Sequence, residues 1–156
     1  MGLEIERKFL LKNDGWRDQI SDSTSMRQGY LAPLDTSSVR VRIEGDKANL
    51  NIKSATMGIR RMEYEYAIPL EDAIEMLDQL CPKPQVNKTR HIVVVGSHVW
   101  EIDEFYDENE GLVVAELELS EENEAFVKPD WLGEEVSDDP RYYNVSLINH
   151  PYKDWG

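Results

Sequence analysis

The sequence predicts an α+β chain built mainly from an antiparallel β-sheet. Three observations carry that expectation. Seven segments alternate polar and apolar residues at period two, glycine-bearing turns separate several of them, and few segments show helical spacing. The alternating segments are Leu3–Leu10, Ser38–Glu44, Asn49–Lys53, Arg61–Ile68, Lys88–Val95, His98–Phe105 and Leu112–Leu119. Turn chemistry lies at Glu44-Gly45-Asp46, Met57-Gly58, Val95-Gly96-Ser97 and Asn109-Glu110-Gly111. Seven or eight strands are expected.

Helices are fewer. Pro69 opens a segment with Leu70, Ala73, Ile74, Leu77 and Leu80 on one stripe, closed by Pro82 and Pro84. Ser120 is placed to cap a short helix through Glu121, Glu122 and Phe126, stopped before Pro129. Asp139-Pro140 starts a third, with Tyr143, Leu147 and Ile148 on its apolar side. A weaker helix is expected between Asp14 and Ile20.

At 156 residues, with no internal repeat or linker, residues 1–156 read as one domain. Folding at that size buries roughly 70% of the unfolded surface. A composition of 40% hydrophobic and 31% charged residues is that of a soluble globular chain. Against 17 Lys and Arg stand 31 Asp and Glu, a net charge of −14, which argues against a nucleic-acid partner and looks wrong for any polyanion. The single cysteine, Cys81, leaves no internal disulfide, fits a reducing compartment and reads as a small packed hydrophobe. No apolar run approaches the ~20 residues of a membrane span. Charge appears by Glu4, so no secretory signal is read, and Glu6 stands where a myristoylation signal needs Ser or Thr. A cytoplasmic location without a membrane partner is expected.

Residues two apart on a strand share a face. The first strand therefore groups Glu4, Glu6 and Lys8; the second Arg40, Arg42 and Glu44; the third Asn49, Asn51 and Lys53. The fourth groups Arg61, Glu63 and Glu65 against Met62, Tyr64 and Tyr66. Lys88 and Arg90, Glu101 and Asp103, and Glu116 and Glu118 follow. A solvated outer face explains any one strand. It explains the set poorly, because solvent faces are usually richer in Thr, Ser and Gln, and here acids and bases are sorted by strand. Closing the sheet into a barrel with the charges inward, and helices and loops over the apolar outside, resolves both this and the charge puzzle. Carboxylates inside would hold Mg²⁺ or Mn²⁺ while Arg and Lys grip phosphate oxygens.

Glu4-Ile5-Glu6-Arg7-Lys8-Phe9 resembles the ExExK signature of the CYTH superfamily, the triphosphate tunnel metalloenzymes. Arg40-Val41-Arg42, Asn51-Ile52-Lys53, Glu63-Tyr64-Glu65, Lys88-Thr89-Arg90, Trp100-Glu101-Ile102-Asp103 and Glu116-Leu117-Glu118 follow in the family's order, and the resemblance runs on through Trp131–Val136 and Tyr143-Asn144. It implies a closed, eight-stranded antiparallel barrel, a tunnel with a charged interior and a few peripheral helices. The reaction implied is metal-dependent hydrolysis of a triphosphate with Mg²⁺ or Mn²⁺. The short chain is most similar to the compact bacterial inorganic triphosphatases, which puts inorganic tripolyphosphate first as substrate.

By the same resemblance, Lys8, Arg40, Arg42, Lys53, Lys88 and Arg90 hold phosphates. Glu4, Glu6, Glu63, Glu65, Glu116 and Glu118 bind metal directly or through water, with Asp103 a further acidic candidate. Tyr30, in Gln28-Gly29-Tyr30-Leu31, matches a tyrosine near the terminal phosphate; with Lys8 and Glu63 it completes the catalytic candidates. Lys8 has two readings, steadying phosphate or water, or only neutralising Glu6. Asn51 departs from the threonine expected there. Class IV adenylate cyclases, thiamine triphosphatases and RNA triphosphatases share these charges, so a cyclase, a thiamine triphosphatase and a general nucleoside triphosphatase stay open alongside a non-catalytic polyphosphate or nucleotide module. A homodimer is compatible with the sequence. His91, His98 and His150 lack metal-ligand spacing, and no glycine-rich phosphate loop is present. The four tryptophans read as packing, and Glu104, Asp107, Glu108 and Glu110 read as a solvated hairpin.

Overall fold

The computed structural model describes residues 3–31, 37–54, 59–83, 85–143, 146–147 and 150–155, with the backbone alone for Leu3, Glu4, Arg60 and Arg61. The expected Met57-Gly58 turn, Pro84, Asn144 and Ile148 lie outside those residues. The strands are β1 (Leu3–Leu11), β2 (Ile20–Tyr30), β3 (Ser37–Glu44), β4 (Lys47–Ser54), β5 (Arg60–Ile68), β6 (Val86–Val95), β7 (His98–Phe105), β8 (Val113–Glu118) and β9 (Leu132–Glu135), with one helix, α1 (Leu70–Gln79), after β5.

All seven segments with period-two alternation are strands. Two strands are additions. In β2 the sequence marks only the Gln28–Leu31 end, because the Ser21–Ser25 half is a run of polar residues with little apolar cover. The four residues of β9 are too few to show a period. The helix expected from Ser120 does not form. Its stretch holds one turn-like bond, Glu124 N–H to the Glu121 carbonyl, and the Glu124 carboxylate accepts from the Ser120 N–H instead. Phe126 alone cannot make an apolar stripe; it packs edge-on against Trp100. The Asp14–Ile20 segment is a 3-10 turn, Gly15–Gln19. Asp139 caps a second 3-10 turn, Pro140–Tyr142, after which Leu147 N–H bonds the Tyr143 carbonyl.

The sheet runs β5-β4-β3-β2-β6-β7-β8-β1-β9 with antiparallel neighbours, and β5 also meets β1. That extra pairing covers Leu3↔Met62, Glu4↔Arg61 and Ile5↔Arg60. Eight strands therefore form a ring whose seam is stitched at one end. Further along β1 the same edge belongs to β9, through Phe9↔Glu135 and Leu11↔Leu132. Gly45 and Gly96, both at φ 62°, turn the tight β3–β4 and β6–β7 hairpins, a conformation that costs other residues a Cβ clash.

The charged face turns inward, as the tunnel reading expects: Glu6, Lys8, Arg40, Arg42, Lys88, Arg90, Asp103 and Glu116 are all buried. Outside, α1 presses Ala73 and Leu77 onto the Val41 and Ala48 side of β3 and β4, leaving Ile74 and Leu80 exposed. A second cluster joins Ile5, Phe9, Leu117 and Ile102 with Trp16, Trp100 and Trp131, so these tryptophans do pack. The expected apolar cover is incomplete at β5, where Met62, Tyr64 and Tyr66 stay exposed because α1 sits over its neighbours. A third cluster holds Tyr30, Val86, Phe105, Leu112 and Val114 against Val136, Tyr142 and Leu147 of the C-terminal segment. Tyr30 lies opposite Arg40 and Phe105 opposite Lys88, on the charged face, so this cluster is an apolar floor beside the charges. No helix among the described residues is long and apolar enough to cross a membrane.

Candidate active site

Cross-strand register assembles the lumen. In antiparallel strands directly opposed residues share a face. Glu6 faces Glu118 and Lys8 faces Glu116 across β1 and β8; Glu101 faces Glu116 across β7 and β8; Arg90 faces Asp103 across β6 and β7. On the other wall Gln28 faces Arg42 and Tyr30 faces Arg40, while Lys53 faces Glu63. Strands far apart in sequence thus bring acids and bases of one face to one place.

One linked network results. Lys8 Nζ lies 2.6 Å from Glu116 and 3.7 Å from Glu6. Arg90 makes a two-pronged contact to Asp103 at 2.8 Å, with Glu101 at 3.4 Å and Glu116 at 3.7 Å. Lys88 donates to Asp103 at 2.7 Å, its ammonium also lying over the Phe105 ring. Lys53 and Glu63 pair at 3.2 Å near the rim, where Glu118 and Glu65 are exposed. Glu65 accepts from Asn51 at 3.2 Å, which gives the departure from threonine a use. The Glu4 backbone lies at the β1–β5 seam; its side chain is among those not described.

Burial and charge decide the protonation states. Burial alone would raise the Asp103 and Glu116 carboxyls. Arg90 and Lys88 around the first, and Lys8, Arg90 and Lys88 around the second, overcome it and hold both below the ordinary carboxylate range. Burial pushes the Lys88 ammonium down to about 7 against the pull of Asp103. Burial, reinforced by Arg40 and Arg90, brings the Arg42 guanidinium down to about 10. Arg40 is 4% exposed, makes no ion pair among the described residues, and has an unpartnered Nε. This wall of the lumen carries more positive charge than its carboxylates answer.

The opposite wall has the reverse imbalance. Burial raises the Glu118 carboxyl, and Glu6 and Glu63 raise it further; burial with Glu116, Asp103 and Glu6 raises Glu101 despite Arg90. Such crowding is relieved by a cation. Among the described residues no three His, Cys, Asp or Glu groups stand close enough to hold one ion; Glu116 is turned to Lys8 at 2.6 Å, with Arg90 at 3.7 Å. The donor chemistry fits a hard cation nevertheless: the available lumen ligands are carboxylate oxygens, with neither sulfur nor imidazole. His91 bonds Ser23 and Glu104, His98 bonds Glu124, and Cys81 is buried under α1.

The structure therefore gathers Glu6, Lys8, Arg40, Arg42, Lys88, Arg90, Asp103 and Glu116 into one buried centre, with Tyr30 on its floor and Lys53, Glu63 and Glu118 nearer the rim. Glu65 is set apart, bonded to Asn51. Two further lumen residues, Glu101 and Gln28, lie outside the set of charged site candidates. Glu101 was visible beside Asp103 in the strand pattern. Gln28, two residues before Tyr30, carried no charge to draw notice.

Residues 2–152 match the CYTH domain. The chain is 47% identical to an inorganic triphosphatase of Acetivibrio thermocellus over 155 residues, 99% of each protein. It is 36% identical to an inorganic triphosphatase of Nitrosomonas europaea, covering 92% of this chain and 95% of that one. A crystal structure of an inorganic triphosphatase superposes with a TM-score of 0.66 at 34% identity, covering 93% of each chain. Family match, near-full-length identity and shared barrel agree: the chain belongs to the CYTH family, whose tunnel enzymes are metal-dependent.

Proposed function

We propose that this chain hydrolyses inorganic tripolyphosphate to pyrophosphate and orthophosphate inside its lumen. The observation that carries the reading is the pair Arg40 and Arg42, buried and under-compensated in a chain of net charge −14. Guanidinium groups are donors only, and a bare phosphate chain offers acceptor oxygens only. The relatives named inorganic triphosphatases support the same reaction.

Arg40, Arg42, Lys53, Lys88 and Arg90 bind the phosphate groups, with Lys8 and Tyr30 beside the reacting one. Glu4, Glu6, Glu63, Glu65, Glu116 and Glu118 would hold Mg²⁺ or Mn²⁺, which supplies charge neutralisation on phosphate oxygens and a more acidic bound water. Phosphoryl transfer asks a protein for positioning and charge stabilisation. The cations hold the chain in line and stabilise the charge that moves onto the leaving pyrophosphate. Glu63 orients the attacking water. Its oxygen joins the terminal phosphorus as the bridging P–O bond breaks; one water proton stays on orthophosphate and the other passes to solvent. Asp103 keeps Lys88 and Arg90 in place.

A phosphate-release panel tests this with tripolyphosphate, ATP, thiamine triphosphate and pyrophosphate, each in Mg²⁺, Mn²⁺ or EDTA. The expected result is chelator-sensitive turnover, fastest on tripolyphosphate. Cyclic AMP formed from ATP without orthophosphate would overturn the reading in favour of a cyclase.

A further inference from the structure

Gln28 is wholly buried in the middle of the cation wall. Its register partner across β2 and β3 is Arg42, and Met26 beside it pairs with Lys88 across β2 and β6, so its side chain shares the lumen face. Its Oε1 accepts from Arg42 Nε at 2.9 Å. A guanidinium has no acceptor, so the oxygen must face it and the amide nitrogen must turn away. That nitrogen finds no hydrogen-bond partner among the described residues. The cations set around this wall, Arg40, Arg42, Lys88 and Arg90, are donors too and cannot supply one. A buried amide N–H among donors calls for a ligand rich in acceptors.

We infer that Gln28 is a substrate-binding residue, its amide N–H donating to an oxygen of the phosphate group lodged deepest in the lumen while its carbonyl holds Arg42 in line. The inference rests on the tripolyphosphate reading and adds one specific contact to it. A neutral donor there completes the oxyanion's hydrogen bonds without adding a further cation to a wall already short of counter-charge. The neighbouring Tyr30 places this contact next to the apolar floor, at the end away from the exposed Glu65 and Glu118.

Gln28→Glu and Gln28→Met separate this role from mere support of Arg42. Calorimetric titration with sodium tripolyphosphate in EDTA reads binding without turnover; phosphate release in Mg²⁺ reads KM and kcat; thermal melts without ligand read folding. A substrate contact predicts that Met, which lacks the donor, weakens binding roughly 10-fold. Glu keeps an acceptor for Arg42 but turns a charge on the ligand, so it weakens binding by about 100-fold. Met, which leaves the buried Arg42 Nε without its acceptor, melts somewhat lower than wild type, and Glu, which adds counter-charge to this wall, melts as high or higher; both stay folded at the assay temperature. A purely supporting role predicts the reverse order, with Glu binding like wild type through its ion pair to Arg42 and Met the weaker; that order overturns the inference. So does binding within twofold of wild type in both variants, or wild-type protein that does not bind tripolyphosphate. Wild-type protein that binds tripolyphosphate without hydrolysing it overturns the proposed reaction alone, and the order of dissociation constants still decides Gln28.

Discussion

Lys88 and Asp103 form an ion pair at 2.7 Å with neither side chain touching solvent, and Arg90 closes the same carboxylate with two bonds at 2.8 Å. Both Asp103 oxygens are thus engaged by cations. Its place is to hold the cation wall together from beneath. Asp103→Asn leaves Lys88 and Arg90 sharing a buried space without the charge that balances them. Losing one member of such a pair costs about 3–5 kcal/mol. Urea unfolding checks this; a loss below ~1 kcal/mol would mean that the carboxylate is not an anchor.

Arg40 predicts the opposite sign for stability. Its guanidinium is buried with no ion pair among the described residues, so before substrate arrives it is a cost to the fold. Arg40→Met removes that cost and is expected to raise the melting temperature. The same change removes the proposed contact to the phosphate chain, and losses of about 10²–10³ in rate are typical for a contact of that kind. A variant that melts higher and turns over slower identifies a residue kept for ligand. One that melts lower and turns over normally would make Arg40 structural.

Glu116 meets Lys8 at 2.6 Å and Arg90 at 3.7 Å, so it is both a counter-ion and a metal candidate. Glu116→Gln keeps the shape and removes the charge. Turnover is expected to fall by about 10²–10³ at saturating Mg²⁺. The metal concentration giving half-maximal rate rises as well if Glu116 contributes to holding it. Measuring rate against Mg²⁺ concentration separates the two: a fall in rate at unchanged metal dependence leaves Glu116 as the partner of Lys8 alone.

The strands and the inward charges were readable because both follow from period two, a local pattern that survives in one sequence. Glu6, Lys8, Arg40, Arg42, Lys88, Arg90 and Glu116 could be named from that period and the motif order. Their pairings could not, because Lys8 with Glu116 and Arg90 with Asp103 depend on strand order and register, which only long-range packing sets. Ser120 shows the limit of a local signal: a good cap residue nucleates nothing without an apolar face to follow it. Gln28 shows another. A neutral amide carries no motif weight, and its importance appears only when an unpartnered nitrogen is found beside Arg42.

On the outer face, Arg7 donates to Glu135 at 2.8 Å, and Ser137 also bonds that carboxylate. These hydrogen bonds, opposed by partial burial, hold the Glu135 carboxyl below its ordinary value of 4.5. The unfolded chain therefore takes up the proton more readily than the folded one. The stabilisation is complete above pH 4.5 and is lost as the pH falls through the lower folded value. Glu104 and Asp139 are depressed by Arg17 and Arg141 and act with the same sign. Glu135→Gln isolates one contribution, worth no more than ~1 kcal/mol for a pair this exposed. Urea midpoints at pH 7 and pH 3.5 should differ less in the variant than in wild type; an equal difference would mean the pair contributes nothing.

Strand β9 reaches β1 only because position 133 is glycine. A Cβ there would stand 2.7 Å from the Leu10 carbonyl oxygen and 3.0 Å from its carbon, both backbone atoms that cannot rotate aside. The approach matters to the lumen, since Val136 N–H bonds the Lys8 carbonyl and the Lys8 N–H bonds Ser137 at 3.0 Å. Gly133→Ala must push β9 off that edge, at an expected cost of about 1–3 kcal/mol, and it frees the backbone that aims Lys8 at Glu116. Gly96→Ala is the control: nothing lies within 4 Å of its Cβ, and the penalty comes only from φ 62° in the β6–β7 turn, about 1–2 kcal/mol. Both variants should melt lower, but only Gly133→Ala should also lower kcat and speed hydrogen exchange at the Lys8 and Val136 amides. Equal kcat in the two would show that Lys8 is held by its ion pairs and not by β9.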